Sequence, residues 1–294
     1  MIFLLLERQL TIKDLSSNFN IRELLKYWYI PKKWQHLIRI QKGFLINDVY
    51  HPFNTIIHNG DKIKIKFSTD IVEQHYLPAK KITFKTIYEN HDLLIVNKPA
   101  NLKTHPNRPD ENNTLYNQVQ TYFGRTPLML HRLDMKTSGL IMIAKDPIIV
   151  PIIERQLAKK EMQRYYIAVT QYNPNISQSG VIDQPIGFDP TDKRKRKVDP
   201  DNGLKAVTKY RILKHNDQFA LVKLELLSGR THQIRVHLNY IGLSIIGDPL
   251  YSNIKANRMY LHAYKMKYTI PFSKNIKEVK TNIPNEFLQK VTFN

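Results

Sequence analysis

The amino-acid sequence predicts an α+β protein made of two units. With 294 residues, the chain can bury a sizeable core and can hold more than one domain. The predicted strands do not alternate regularly with the predicted helices, which favours a mixed α+β sheet over a doubly wound parallel sheet. A stretch near residues 73–81 contains Pro78 and is the expected linker. We therefore predict a small unit at 1–76, a linker at 77–83 and a larger unit at 84–294.

The small unit is predicted to contain one helix followed by three strands. The helix covers Ile21–Tyr29 and stops before Pro31, because proline cannot continue a helix. Strands are expected at 38–40, 43–48 and 60–67. The last of these alternates apolar residues with lysines, a pattern typical of a strand with one wet, basic face.

The larger unit is predicted to mix strands and helices. Its strands are expected at 93–97, 140–144, 165–170, 206–213 and 219–227. Helical spacing and length occur at 114–123, 148–162 and 231–241, and Thr114 can serve as the N-cap of the first. The run Lys193–Lys197 lies between two prolines and predicts an exposed loop. This loop is either a solvated charged run or a contact for phosphates.

Charge is the strongest signal in the composition. Lysine and arginine number 45 against 25 acidic residues, a formal net charge of +20, which predicts a polyanionic partner. A membrane span is not expected, because no apolar run approaches the roughly 20 residues that a spanning helix needs. Met1–Leu6 is too short for a signal peptide and has no basic residue before it. The chain has no cysteine, which excludes disulfides and thiolate metal sites and makes a cytoplasmic location the expectation.

One short segment, His131–Leu140, indicates a catalytic residue. It holds a single carboxylate, Asp134, between basic residues upstream and a Thr-Ser-Gly turn downstream, and an apolar run follows at once. A lone acid at a tight turn before a buried strand suits a nucleophile. The alternative is a structural turn acid that pairs with Arg132 or with a more distant arginine.

Two other segments support the catalytic interpretation. A strand is expected to end at Gly229 and a helix to begin at Thr231, and backbone N–H groups at such a junction favour anions. Arg230 lies there, and its guanidinium could hold the carboxylate of Asp134. In the strand around Tyr166, a tyrosine that faces a cleft could stack on a nucleobase and offer a hydroxyl for proton transfer. The alternative is a strand tyrosine that only packs.

A metal centre is not expected from the histidine spacing. His131 and Asp134 are three apart in a turn, and His232 and His237 are five apart on a helix and lie off one face. There is no His-x-x-x-His pattern and no glycine-rich phosphate loop, so metal and nucleotide-cofactor chemistry are not predicted. Arg235 and His237 either belong to the site or form a solvated basic face of the helix.

Taken together, these segments resemble the RluA-like family of RNA pseudouridine synthases. His131–Leu140 is similar to the active-site motif of that family, and Val96–Ala100 with Thr104–Pro106 is similar to the segment before it. Further similar motifs follow in the family's order at Arg164-x-Tyr166-x-Ala168, Gly229–Leu238, Gly247-Asp248-x-x-Tyr251 and Leu261–Ala263. The resemblance covers about residues 84–290.

The resemblance implies a fold, a reaction and a site. The fold is a mixed, largely antiparallel sheet flanked by helices, and the reaction converts uridine in RNA to pseudouridine without a cofactor. Asp134 would attack C1′ of the ribose, Tyr166 would stack on the uracil and take part in proton transfer, and Arg230 would pair with Asp134. Arg132 would enter the RNA stack beside the flipped nucleotide. The substrate-binding residues implied in this way are His131, Arg132, Thr137, Leu140, Arg164, His232, Gln233 and Arg235.

The resemblance also predicts the RNA substrate and the fold of the small unit. Large-subunit ribosomal RNA is the family's commonest substrate, transfer RNA is a second, and a monomer is expected. Ile46-Asn47-Asp48 with Gly60–Ile63 resembles the end of an S4-like RNA-binding domain, which this family often carries at its N-terminus. The segment 27–34 departs from the usual S4 pattern, which predicts a degenerate S4-like fold.

Two other functions stay open at this level. A non-catalytic RNA-binding or ribosome-assembly protein could use the same fold and charge, although it would gain nothing from an ionised acid facing RNA phosphates. An RNA N-glycosidase could use the same carboxylate to break the same bond, and free uracil would identify it. The catalytic interpretation predicts that Asp134 and Arg230 lie within hydrogen-bonding distance in a cleft that Tyr166 also lines.

Overall fold

The structure, a computed structural model, describes residues 2–13, 15, 17–71 and 76–292. Within these residues it has a four-stranded antiparallel sheet, a ten-stranded mixed sheet, a two-stranded hairpin and six helices. The predicted α+β class, with a mixed and largely antiparallel sheet, is confirmed.

The N-terminal unit is a small sheet with two helices. Its elements are β1 (Ile2–Thr11), α1 (Ile21–Tyr27), α2 (Lys32–Ile40), β2 (Phe44–Ile46), β3 (Val49–Tyr50) and β4 (Lys62–Ile71). The strand order is β1-β4-β2-β3, and β1 pairs antiparallel with β4 over its whole length. Asn20 starts α1 with a capping box, because its side chain accepts the N–H of Glu23 while the Glu23 carboxylate accepts the N–H of Asn20.

The predictions for this unit have mixed outcomes. The helix predicted at 21–29 and the strands predicted at 43–48 and 60–67 are present with different ends. The strand predicted at 38–40 is wrong, because these residues form the last turn of α2. Ile38 is fully buried, four residues after the partly buried Trp34, so the helical spacing outweighs the preference of isoleucine for strands.

The larger unit contains the ten-stranded sheet. Its strands are β5 (Lys85–Glu89), β6 (Leu93–Lys98), β7 (Leu128–Met129), β8 (Ser138–Ala144), β9 (Gln163–Gln171), β10 (Ser179–Asp183), β13 (Val207–His215), β14 (Phe219–Leu226), β15 (Leu261–Thr269) and β16 (Ile276–Lys280). The hairpin is β11 (Ile186–Phe188) with β12 (Arg196–Val198), and the helices are α3 (Leu115–Phe123), α4 (Ile149–Ala158), α5 (Gln233–Tyr240) and α6 (Asn285–Gln289). The strand order is β10-β13-β14-β9-β15-β8-β6-β5, with β7 paired to β8 and β16 paired to β15.

All five strands and all three helices predicted for this unit are present. Thr114 caps α3 as predicted, because its side chain accepts the N–H of Asn117. The run 193–197 is only partly a loop, since Arg196 and Lys197 pair with β11. The expected linker 77–83 has no helix or strand and is bound to α3 through the side chain of Asn117, which donates to the carbonyl oxygen of Leu77.

A parallel pair of strands, β8 and β15, joins the two halves of the large sheet. His262 lies opposite Ser138, and Ala263 lies opposite Gly139. Gly139 has a φ of +117°, and a Cβ there would lie 2.2 Å from the carbonyl oxygen of Ala263. Only glycine fits this close approach. The pair brings the turn before β8 next to β15, which also pairs with β9.

The N-terminal unit packs against the larger one. Ile152 of α4 belongs to the apolar cluster of the N-terminal sheet and helices. The ring of Trp28 meets Phe272 edge to face, with centroids 5.1 Å apart. Arg8 forms an ion pair with Asp92, which is nearly buried. Apolar and charged contacts therefore fix the two units together.

Candidate active site

A narrow cleft brings the three predicted catalytic residues together. It is lined by Asp134 from the turn before β8, by Tyr166 from β9, and by Arg230 and Arg235 near the start of α5. The other lining residues are Arg132, Leu133, Thr137, Arg164, Leu226, Gly229, Thr231, His232, Gln233, Ile234 and Leu261. The sheet and one helix thus place a carboxylate, an aromatic ring and several cations around one space.

Buried groups fix the main chain on both sides of Asp134. The hydroxyl of Thr104 donates to the carbonyl oxygen of Leu133 at 2.7 Å and accepts the N–H of the same residue at 3.2 Å. The fully buried Lys98 donates from Nζ to the carbonyl oxygen of Met135 at 3.2 Å and to two nearer carbonyl oxygens at 2.9 and 2.7 Å. Burial lowers the pKa of Lys98 to about 7. The turn that carries Asp134 is therefore held before substrate binds.

Arg235 is the ion-pair partner of Asp134. Its Nη1 lies 3.1 Å from Oδ2 of Asp134. Its Nε and Nη2 donate to the two oxygens of Asp248 at 2.7 and 2.8 Å, and its guanidinium carbon lies 5.0 Å from the ring centre of Tyr251. Burial alone lowers the pKa of Arg235, but Asp248 and then Asp134 raise it above its ordinary value, so the guanidinium stays charged.

The prediction that Arg230 pairs with Asp134 is wrong. Arg230 is exposed at the rim of the cleft, and its Nε donates to the carbonyl oxygen of Lys205 at 3.2 Å. The helix begins two residues later than predicted, because His232 takes a left-handed conformation with a φ of 57°. This irregular turn sends the Arg230 side chain toward the loop before β13, and Arg235, in the first turn of α5, takes the position beside Asp134.

A hydrogen-bond chain leads from β12 to His232, which lies beside the carboxylate of Asp134. The N–H of Arg196 donates to Oη of Tyr251 at 2.7 Å, and this oxygen lies 3.0 Å from Nδ1 of His232. Nε2 of His232 lies 3.8 Å from Oδ2 of Asp134. Because Tyr251 accepts from Arg196, its own proton is available to Nδ1, and this favours the tautomer with the ring proton on Nε2. Burial lowers the pKa of His232 although the charge of Asp134 opposes this, so the ring is neutral at pH 7.

Tyr166 forms an apolar wall of the cleft. It lies on β9 between Leu224 of β14 and Ala263 of β15, and only 5% of it is exposed. Burial raises the pKa of Tyr166, while Arg164 opposes this shift and Asp134 adds to it. The hydroxyl therefore keeps its proton at neutral pH. The structure places Tyr166 in the same cleft as Asp134, as the sequence predicts.

The remaining predicted substrate-binding residues divide into two groups. Five of them line the cleft, namely Arg132, Thr137, Arg164, His232 and Gln233. His131 and Leu140 do not line it, and the prediction is wrong for Leu140, which is buried in β8. Nε2 of His131 accepts the N–H of Met142 at 3.1 Å, and Leu140 is 1% exposed. β8 is buried along its whole length, which keeps Leu140 in the core, whereas His131, which binds its backbone, is half-buried.

Polar residues at the start of α5 anchor the helix. Nε2 of Gln233 donates to the carbonyl oxygen of Val207 and to the hydroxyl of Thr208, both at 3.0 Å, and its Oε1 accepts two further hydrogen bonds. Nδ1 of His237 lies 2.9 Å from the same Thr208 hydroxyl. Arg235 and His237 are 5% and 0% exposed, so the alternative of a solvated basic helix face is wrong for both.

Comparison with known families agrees with this geometry. A sequence model described as RNA pseudouridylate synthase matches residues 92–240, the segment that holds Asp134, Tyr166 and Arg235. The chain belongs to the RNA pseudouridine synthase family. A second model, described as the RluD ribosomal pseudouridine synthase N-terminal domain, matches residues 8–63.

Individual relatives of this synthase extend over most of its length. It is 35% identical over 229 residues to the uncharacterized RNA pseudouridine synthase YhcT of Bacillus subtilis, covering 75% of this chain and 74% of that protein. It is 30% identical over 255 residues to the ribosomal large subunit pseudouridine synthase D of Escherichia coli, covering 79% and 76%. The solved structure of human RNA pseudouridylate synthase domain containing 4 has the same fold, with a TM-score of 0.59 at 22% identity over 70% of this chain and 90% of that chain. The chain is therefore an isomerase that acts on RNA.

Three residues of the synthase site have no role predicted from the sequence. These are Lys98, which holds the Asp134 turn, and Asp248 and Tyr251, which hold Arg235 and His232. Each lies in a segment that resembles a family motif. That position is the signal that could have identified them, because neither their spacing nor their chemistry distinguishes them from ordinary surface residues.

Two histidines near the synthase cleft, the half-buried His131 and the buried His262, are neutral at pH 7. Burial lowers the pKa of His131 to about 3 and that of His262 to about 4, and nearby arginines add to both shifts. Nδ1 of His262 lies 2.8 Å from the hydroxyl of Ser138. In the part of the chain that the structure describes, no group of three or more His, Cys, Asp or Glu residues could hold a metal ion. The described helices also include none that is long and apolar enough to cross a membrane.

Proposed function

We propose that this synthase isomerises a uridine of large-subunit ribosomal RNA, with Asp134 as the nucleophile. The observation that carries the proposal is the Asp134–Arg235 ion pair in a cleft that Tyr166 also lines. Ribosomal RNA is supported by the name of the Escherichia coli relative and by the match to an RluD N-terminal domain. A net charge of +20 supports binding to a large polyanion.

The carboxylate of Asp134 is the group that can break the glycosidic bond. One oxygen attacks C1′ of the ribose and forms an ester bond, while the C1′–N1 bond breaks and its electron pair leaves with the uracil. The base then turns, C5 bonds to C1′, and Asp134 leaves as a carboxylate. The C5 hydrogen departs as a proton and N1 takes up a proton, so the product is an isomer of the substrate.

Arg235 determines which oxygen of Asp134 attacks. Oδ2 accepts from the charged guanidinium at 3.1 Å. Oδ1 has no hydrogen bond within the described residues, so it is the oxygen free to reach C1′. Arg235 is itself held by both oxygens of Asp248, whose side chain is fully buried. This arrangement supports a nucleophile that needs no reorganisation during the reaction.

Tyr166 is expected to contact the uracil, and Arg132 is expected to contact the RNA helix. Tyr166 would stack on the uracil, and its protonated hydroxyl can donate to a uracil oxygen. It can take part in moving the C5 proton only by passing its own proton on. Arg132 is exposed at the rim of the cleft, where it would fill the gap left in the RNA stack when the uridine turns out.

Release of tritium from uracil C5 tests this function directly. Wild-type protein and Asp134→Asn are incubated with C5-tritiated transcripts of large-subunit ribosomal RNA, small-subunit ribosomal RNA and transfer RNA. We expect release from the large-subunit transcript with the wild type only. Release from transfer RNA alone would mean that the substrate is transfer RNA, while the proposed isomerisation would stand.

Two other outcomes would replace the proposal. Absence of release from every RNA, with normal complementation of a deletion strain by Asp134→Ala, would indicate a non-catalytic RNA-binding or ribosome-assembly protein. Free uracil among the products would indicate an N-glycosidase. Mapping of pseudouridines in a deletion strain would identify the target position.

The assembly state and cellular location belong to the same proposal. We expect the synthase to act as a monomer, as the family resemblance implies, and in the cytoplasm, because the chain has no cysteine. Sedimentation at micromolar concentration would check the first statement. Fractionation of cells that produce the tagged protein would check the second.

A further inference from the structure

A second cavity, of about 450 Å³, adjoins the catalytic cleft. It shares Gly229, Arg230 and Thr231 with the cleft, and its other wall is the β11–β12 hairpin with the loop at 199–204. We call it the side pocket. Its volume lies in the range of small-molecule sites. The shared wall places it next to the cleft in which the target uridine would bind.

The side pocket exposes an aromatic ring. Phe188 at the end of β11 is 71% exposed, and Leu204, which also lines the pocket, is 60% exposed. The guanidinium of Arg196 lies 3.9 Å from the ring centre of Phe188 and covers one side of the ring. With so much of the residue exposed, the other side of the ring is open to a flat ligand. An arginine behind an aromatic ring strengthens its stacking on a further ring.

The charges around the side pocket favour a polyanion. Arg196 and Arg230 line it, and the exposed Lys193 and Arg194 precede β12 in the same hairpin. One carboxylate, Asp199, also lines the pocket, and its Oδ1 accepts the N–H of Asn202 at 3.1 Å. A protein ligand would suit the apolar residues, but the two arginines and the overall charge of +20 favour a nucleic acid.

We propose that the side pocket binds an unpaired nucleobase next to the target uridine, stacked on Phe188 on the side opposite Arg196. This inference rests on the proposed function, because the strand that enters the pocket is the substrate RNA. Arg230 then binds the phosphates between the two nucleotides instead of pairing with Asp134. Stacking on an aromatic ring accepts any base, so the pocket would recognise an unpaired nucleotide more than a particular sequence.

Substitutions at Phe188 test the stacking. The RNA is a large-subunit ribosomal fragment from which the wild type releases C5 tritium in an Asp134-dependent reaction. Phe188→Ala should weaken binding of this fragment by about 5- to 100-fold, the usual effect of removing a stacking ring, with kcat unchanged. Phe188→Trp should restore affinity, and its fluorescence should be quenched when the fragment is added.

A matched control separates stacking from a general loss of exposed apolar surface. Ile276 is also 71% exposed but lies on β16, away from the cleft and the side pocket. Ile276→Ala should bind the fragment like the wild type. Equal binding by Phe188→Ala and the wild type would overturn the inference.

The position of the bound base is tested on the RNA. An abasic site is moved through the nucleotides on each side of the target uridine. One abasic position should weaken binding to the wild type but cause no further loss with Phe188→Ala, because the two changes remove the same contact. Additive losses at every position would contradict the proposal, and would indicate that Phe188 contacts something other than a base.

The two proposals fail in different ways. If the wild type releases no tritium from any RNA, the proposed function fails and the side-pocket inference fails with it. If the wild type releases tritium and Phe188→Ala behaves identically in both assays, only the side-pocket inference fails. Phe188 is exposed on a hairpin, so its replacement leaves the cores of the protein intact.

Discussion

Nη1 of Arg235 lies 3.1 Å from Oδ2 of Asp134, although Arg230, five residues earlier, is the arginine that the sequence predicts for this contact. Arg235 is anchored by Asp248, whereas the Arg230 side chain is exposed and, among the described residues, binds only through Nε to a carbonyl oxygen. An arginine with three of its nitrogens bound in a buried site has one orientation. Arg235 is therefore expected to orient Asp134, and Arg230 is expected to contact RNA phosphates.

Arg235→Lys should lower kcat by about 100-fold or more with little change in KM. Lysine keeps the charge but cannot bind both oxygens of Asp248 and also reach Asp134, so the carboxylate loses its fixed position. Single-turnover tritium release measures the effect. Arg230→Lys is the control, and it should leave kcat unchanged. The assignment would be reversed if Arg230→Lys lost kcat and Arg235→Lys kept it.

Tyr251→Phe should lower kcat by about 10-fold, the value of one hydrogen bond. It removes the oxygen between the N–H of Arg196 and Nδ1 of His232 while keeping the ring beside Arg235. The Tyr251 hydroxyl can donate to Nδ1 only while the imidazole is neutral, so its loss should favour the protonated ring and move the acid limb of the kcat profile to higher pH.

A double substitution checks whether Tyr251 acts through His232. In a His232→Asn background, Tyr251→Phe should have little further effect on kcat, because the chain is already broken. Additive losses would show that the two residues act separately, and the acid limb would then stay in place in Tyr251→Phe.

Gly139→Ala should destabilise the protein by about 2 kcal/mol or more. The new Cβ would lie 2.2 Å from the carbonyl oxygen of Ala263 in the parallel pair of β8 and β15, and φ is +117°. Gly60→Ala is the control, because Gly60 has a φ of +96° but nothing within 4 Å of the added Cβ. It should cost about 1 kcal/mol. Urea unfolding measures both, and equal losses would mean that the strand contact is unimportant.

Five of the ten strands of the large sheet were predicted, and buried apolar runs made β6 and β8 predictable. The segments 93–97 and 140–144 are almost wholly buried in the structure, and such short apolar runs are typical of central strands. The segment 38–40 was wrongly predicted as a strand, because two isoleucines separated by an arginine also fit a strand. The helix forms there because Ile38 faces the core of the N-terminal unit. Local residue preferences cannot predict such a tertiary contact.

The site was predictable at Asp134 and Tyr166 but not at its arginine. Successive helix residues are turned by about 100°, so the direction of each side chain depends on where the helix begins. The left-handed conformation of His232 delays the start of α5 and decides between Arg230 and Arg235. Lys98 was missed for a related reason, since its three carbonyl partners come together only in the folded chain.

The last prediction concerns stability in acid. In the unfolded chain His131 and His262 bind a proton near pH 6.5, whereas in the folded protein their pKa values are about 3 and about 4. Between these limits the unfolded state binds more protons, so the free energy of unfolding falls as the pH falls below 6.5. Between pH 7 and pH 5 each histidine should remove about 2 kcal/mol. Urea unfolding should show that His262→Gln loses about half of this combined change. An unaltered pH dependence in His262→Gln would show that this histidine accepts a proton in the folded state.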